Sequence, residues 1–251
     1  MKEKKYELLE NDTIEIVDHV LHRIRALKDF RDVKKGDLGG YVEKESNLSH
    51  EGNCWIYDNA CIYGNACAYG NAWVYGNAHV FGDACIYGNA RVYDDAHVSD
   101  AAQVYGDAWI HGNACVFDDA QVSGNACIYD DVHVYDDVHV YDDVQVFGDA
   151  CVSGNAWIHN NAWVYGNAHI SNDANISSRF DYCTISGFGS EARTTTFFKC
   201  KDKNIKVNCG CFNGALDEFR EKVKEIHGDN KYAKEYLIAA DLAELRLAEE
   251  D

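Results

Sequence analysis

A six-residue period recurs 21 times without a slip from Gly52 to Ser177, and it decides what half of this chain can fold into. The hexads begin GNCWIY, DNACIY, GNACAY, GNAWVY and end with NDANIS. Position three is Ala in most hexads and Val at Val132, Val138 and Val144; position five is Ile or Val except at Ala68. Apolar residues at three and five, with a variable residue between, describe a short strand with alternating faces. Gly, Asn or Asp at positions one and two describes a corner, because these residues tolerate left-handed dihedrals. A strand and a corner every six residues give a coil, and stacking must stabilise it, since a lone hexad buries nothing.

The number of sides follows from position four. If three hexads make a turn, residues 18 apart stack about 4.8 Å apart. One ladder then reads Cys61, His79, His97, Cys115, His133, Cys151, His169, holding only Cys and His. Another reads Trp55, Trp73, Arg91, Trp109, Cys127, Gln145, Trp163, with four of the five tryptophans. The third runs from Cys67 through Cys85, Gln103, Gln121, His139 and Trp157 to Asn175. That segregation predicts an all-β solenoid, a triangular parallel β-helix of about seven turns. An aliphatic residue every six, followed four positions later by a small one (Ile62 then Ala66, Val74 then Ala78), resembles the left-handed β-helix of hexapeptide-repeat proteins. The left hand is what the resemblance implies.

Charge divides the chain. Residues 52–178 carry Arg91 against 16 aspartates, a net of −15, while 1–51 and 179–251 each carry −2 of the total −19. Such a rod repels nucleic acid, which needs clustered Lys and Arg, and avoids anionic membranes. Proline is absent, in keeping with backbone N–H groups committed to ladders. Met1–Glu10 has no apolar stretch of the signal-peptide kind. Eleven cysteines, scattered through the repeat, fit reduced thiols and a cytoplasmic location.

The segments on either side read as end modules: an N-terminal β cap over 1–51, the β-helix over 52–178 and a C-terminal module over 179–251. Residues 13–27 alternate as two strands or a hairpin, and 34–42 (KKGDLGGYV) form a glycine-rich turn. Residues 194–212 read as a hairpin turning near Asp202–Asn204. Leu216, Phe219, Val223 and Ile226 then mark a helix ended by Gly228, and Tyr232, Tyr236, Ala240, Ala243 and Leu247 a second. The whole chain resembles a group of uncharacterised bacterial and phage proteins with run-on hexapeptide repeats, through residues 26–40 (ALKDFRDVKKGDLGG), the GNA hexads and residues 209–230 (CGCFNGALDEFREKVKEIHGDN).

Several residue sets invite chemistry. Many left-handed β-helix proteins transfer acyl groups from coenzyme A, using a histidine as general base. The candidates are His79, His97, His111, His133, His139, His159 and His169, with His19, His22 and His227 in the end modules. An unbroken repeat, however, offers no loop to wall a pocket. The Cys/His ladder brings only two side chains near one point, whereas zinc takes four ligands. Cys200, Cys209, Cys211 and His227 form a second metal set, although Cys-Gly-Cys is tighter than usual zinc spacing, and packing against the helices accounts for it. Asp130, Asp131, Asp136, Asp137, Asp142 and Asp143 occupy three successive corners and ring the rod. This acidic surface reads as solubilising or as a mimic of a nucleic-acid backbone that occupies a basic cleft.

Trp55, Trp73, Trp109 and Trp163 give one face an apolar surface of the kind interfaces use. That face predicts self-assembly into a trimer or dimer, dissociated by replacing Trp73 and Trp109 with Ser. Taken together, the sequence predicts a non-catalytic binding or scaffolding protein without cofactor, with a host protein as a possible partner. An acidic decoy of a nucleic-acid-handling enzyme and a coenzyme A-dependent acyltransferase are the alternatives.

Overall fold

The computed structural model describes residues 3–248. Three strands precede the repeat: β1 (Tyr6–Ile16), β2 (His19–Ala26) and β3 (Leu38–Val42). Positions four and five of the hexads then give 21 two-residue strands, β4 (Trp55–Ile56) through β24 (Asn175–Ile176). Each pairs in parallel with the strand 18 residues on, as Trp55 with Trp73, Cys61 with His79 and Cys67 with Cys85. The coil therefore has the three faces that the ladders demand. Two faces hold seven strands each, while the Cys/His face continues into β3, β2 and β1 to make ten.

The coil is one turn longer than the hexads foretell, about eight rather than seven. Tyr41 pairs with Cys61, and Leu48 bridges Ala68 in parallel. These offsets are 20 residues instead of 18, because two extra residues enter the corner between Leu48 and Trp55. A single slip of two breaks the hexad frame and hides the first turn from a period search. Gly40 sits where this turn meets the next: a Cβ there would lie 2.4 Å from the Ala60 carbonyl oxygen.

Two rules hold throughout the repeat. The residues at positions three and five are no more than 1% exposed, so they fill the prism. Every position-one residue, twelve glycines and nine Asp or Asn, has φ between 54° and 78°. The left-handed region costs other L-residues about 1–2 kcal/mol, which explains why no β-branched or aromatic residue ever occupies that site. Position six stacks: Tyr75, Tyr93, His111, Tyr129, Phe147 and Tyr165 form one continuous column with ring centroids 4.6–5.5 Å apart.

Beyond the coil, β25 (Tyr182–Phe188), β26 (Arg193–Lys199), β27 (Ile205–Cys209) and β28 (Phe212–Ala215) form an antiparallel sheet in that order. Two helices follow, α1 (Leu216–His227) and α2 (Lys231–Leu247), the second capped by the Asn230 side chain accepting from the Ala233 N–H at 3.0 Å. The predicted hairpin is β26–β27; its flanking strands escape notice because YCTISGF and FNGA do not alternate cleanly. The sheet is two-faced. Phe198, Tyr182 and Cys200 join the coil's core and plug its open end. Phe197 and Val207 point the other way, into a second core with Phe219, Val223, Tyr236 and Ala240.

Candidate functional site

The tryptophan face is smaller than the ladder implies. Trp55 is 1% exposed, with the edges of Tyr6 and Phe30 packed on it at 6.3 and 5.3 Å. It is therefore a core residue and not an interface residue, because the N-terminal segment folds back over the first turns. Trp73 is half-buried, with the Arg31 and Arg91 guanidinium groups 4.4 and 5.2 Å from its ring. Arg91, the one Lys or Arg of the 21 hexads, also lies 4.7 Å from Trp109, so it is sandwiched between two indoles. Trp109 and Trp163 remain on the surface of this face, three rungs or about 14 Å apart by the strand spacing.

The aspartates have structural tasks. At position one, Asp58, Asp94, Asp118, Asp130, Asp136 and Asp142 each accept a hydrogen bond from the backbone N–H 18 residues on, at 2.9–3.4 Å. At position two, Asp83, Asp95, Asp107, Asp131 and Asp143 each accept the side-chain amide of an asparagine one rung earlier, at 2.8–3.0 Å. An asparagine both donates and accepts, so Asn53, Asn71 and Asn89 pass the bond along until Asp107 ends the series. Much of the rod's acidity is thus a consequence of corner geometry. Asp137 is exposed at the corner after Asp136.

The C-terminal sheet splits the metal set. Cys200 lies on the face plugging the coil, in an antiparallel bridge with Ala174. Cys209 packs with the helices and accepts a hydrogen bond from the Thr195 hydroxyl at 3.1 Å. His227 stacks on Tyr236 at 5.5 Å, and Cys211 is exposed. Burial pushes the Cys200 thiol up to about 11, which keeps it protonated and a poor ligand at neutral pH. Among the described residues no three His, Cys, Asp or Glu side chains converge on one point. All eleven cysteines are free thiols.

Where the Cys/His face meets β26–β28 there is a cleft of about 600 Å³, whose lining includes Tyr135, Ser153, His169, Arg193, Asn208 and Asn213. The last rung's backbone is satisfied by side chains of the sheet: His169 N–H donates to the Thr196 hydroxyl at 3.0 Å, and its carbonyl accepts the Asn208 amide at 2.8 Å. Asn208 and Asn213 also donate to the Ser171 hydroxyl at 3.0 and 2.8 Å. On the wall, the Cys151 thiol donates to the Tyr135 hydroxyl at 3.5 Å. Burial pushes the Cys151 thiol up, so it is not a ready nucleophile. Of this site, the sequence singles out His169, as one histidine among many, and Cys151, as a rung of the Cys/His ladder. Half the lining comes from residues 192–213, in and around β26, β27 and β28, and no hexad spacing announces it.

The second feature is apolar. Ile238, Leu242 and Leu245 on α2 are 55–77% exposed, at the i, i+4, i+7 spacing of one helical stripe. At 100° per residue this stripe lies opposite the buried one formed by Ala233, Tyr236, Ala240, Ala243 and Leu247. The patch continues onto the coil, for Leu242 and Arg246 share a hollow with Tyr165 and Arg179. Exposed Phe180 lies beneath the Arg179 and Arg246 guanidinium groups, at 4.9 and 5.9 Å. Trp163 belongs to the same end, and Trp157 there carries the Lys201 ammonium over its ring at 4.3 Å.

Comparison with known proteins matches the repeat. The family model for the YdcK beta solenoid repeat covers residues 84–100 and 120–136, both inside the coil. The coil is similar to YdcK repeats. An Escherichia coli (strain K12) protein described as uncharacterized acetyltransferase YdcK is 51% identical over 39 residues, which is 16% of this chain and 12% of that protein. The chain thus matches about an eighth of the length of this curated relative.

Proposed function

We propose that this protein is a non-catalytic scaffold that works through protein–protein contacts at its C-terminal end, the first contact being with a second copy of itself. The observation that carries the reading is the second apolar stripe on α2, which reaches Tyr165 through Leu242 and lies beside Phe180 through Arg246. A surface helix normally has one such stripe, which its own core consumes; a second one marks an interface. Charge favours this end over the rod. Two rods of −15 laid side by side repel, whereas the C-terminal residues 179–251 carry only −2. The coil then serves as a spacer whose corner aspartates and asparagines bond from one turn to the next. Free thiols throughout accord with a reducing, cytoplasmic setting.

Light scattering of the full chain tests this reading. Wild type is expected at twice the monomer mass, and Ile238→Glu/Leu245→Glu at monomer mass with an unchanged circular dichroism spectrum. Equal masses for the two proteins would refute it.

A second reading, acyl transfer, is favoured by one observation: the cleft holds an accessible imidazole, His169, and the matched relative is described as an acetyltransferase. In that reading His169 is the general base and the polar lining holds the acceptor. Heat evolved on titrating acetyl-CoA into wild type but not into His169→Ala would support it and displace the scaffold reading.

A further inference from the structure

Cys54 is the exception at position three. It stands where the other hexads carry Ala or Val, and it faces the buried lysine of the described chain. Lys5 is 1% exposed; its ammonium nitrogen lies 3.2 Å from the Cys54 sulfur and 2.8 Å from the Cys54 carbonyl oxygen. The ring of Phe30 closes the site at 5.3 Å from the nitrogen, and the Cys54 thiol also reaches the Ser49 carbonyl at 3.4 Å. A lysine removed from water tends to shed its proton, and burial pushes the Lys5 amine down. The site therefore brings an amine and a thiol into contact, enclosed by apolar side chains and backbone. Packing alone asks for neither group, because Ala fills this position in most other turns.

From this juxtaposition we infer that Lys5 and Cys54 form an oxygen-bridged covalent link, Nζ–O–Sγ, when the protein meets dioxygen. The Cys54 S–H bond and one Lys5 N–H bond break; an S–O and an N–O bond form to one oxygen atom. The second oxygen atom leaves as water with the two hydrogens. Sulfur and nitrogen each give up two electrons, and dioxygen takes four. The net addition is one oxygen and the loss is two hydrogens, a gain of about 14 Da, which differs from the gain of about 16 Da for a sulfenic acid on Cys54 alone. The bridge ties the start of β1 to the first corner of the repeat, across the slipped turn where the coil's regular ladders are broken. Its effect would be to lock the N-terminal segment onto the coil in oxidising conditions and release it in reducing ones.

The test uses the full chain, purified without oxygen and then split between argon and air-saturated buffer. Each half is digested and its peptides are weighed. A peptide pair joined through Lys5 and Cys54, carrying the 14 Da gain, is expected only in the air sample. Dithiothreitol should return it to the two free peptides. The thermal midpoint of the air sample should exceed that of the argon sample, and the difference should vanish in Cys54→Ala and in Lys5→Met. Cys54→Ala restores the residue of the other turns, so it should fold. If the air sample contains only separate Lys5 and Cys54 peptides, unmodified or with sulfenic acid on Cys54, the inference is wrong whatever the variants do.

Discussion

The coil and the C-terminal module solve the same problem by different means. In the coil most hydrogen bonds run from one turn to the next: backbone to backbone, aspartate to N–H, asparagine to asparagine. The interactions are copies of one another, so they leave little unsatisfied and little exposed that is distinctive. In the C-terminal module the side-chain bonds that join its parts differ from one another. Asp181 accepts from the Ser177 and Ser178 hydroxyl and backbone groups, Asn208 reaches back to His169, and Glu235 accepts the Gly189 N–H. That irregularity makes a cleft and leaves an apolar stripe uncovered. The irregular end is therefore where the proposed contact lies.

The contrast can be broken by experiment. The largest effect should come from Phe198→Ala, which removes the plug where the two regions meet. A buried phenylalanine of this kind is worth about 3–5 kcal/mol, read from urea unfolding. Hydrogen exchange should speed up at Val164 and Ile170 and stay slow at Ile110. Uniform acceleration would mean the coil unfolds as one unit and the plug is not a local device.

Next in size is the corner rule. Asp136→Ala forces alanine into a left-handed conformation and removes the bond to Gly154, so about 1–2 kcal/mol should be lost. Asp136→Gly should recover most of it, and Asp137→Ala should fall within about 0.5 kcal/mol of wild type. Equal losses at 136 and 137 would show that charge, rather than backbone shape, governs the corners.

Asp181 sharpens the comparison through pH. Burial would raise its carboxyl, but the hydrogen bonds from Ser177, Ser178 and Lys199 outweigh that and hold it below the ordinary range. A carboxyl depressed on folding adds stability in full above the unfolded value of about 4, and that stability is lost as pH falls through the folded value. Asp181→Asn should therefore cost about 1 kcal/mol at pH 7, and the gap from wild type should close as denaturation is followed below about pH 4. A gap that stays constant down to pH 2 would contradict the assignment. The smallest effect should be Arg91→Ala, which removes the cation between Trp73 and Trp109 at about 0.5–1 kcal/mol, measured in the same urea titrations.

The coil could be read from sequence because its rule is local: an apolar pair, a corner, and an 18-residue ladder. The three ladders at position four were legible in full, as were both C-terminal helices, whose stripes follow a 3.6-residue period. The eighth turn was not, since two added residues near Glu51 shift the frame. The burial of Trp55 depends on Tyr6 and Phe30, which are 49 and 25 residues away and carry no periodic mark. The cleft escaped for a similar reason, joining Tyr135 and His169 to Arg193 and Asn213 across a change of architecture. The outer stripe of α2 was hidden in plain view: Ile238, Leu242 and Leu245 interleave with the buried stripe and blur the helix's amphipathic pattern.

Small-angle X-ray scattering of the full chain, over a concentration series, addresses the central claim most directly. The account predicts a dimer joined through the C-terminal modules, with a maximum dimension well beyond one coil and the cross-section of a single rod. A dimer no longer than one chain but with twice the cross-section would place the contact along the coil. That result, or a monomer at every concentration, would contradict the account.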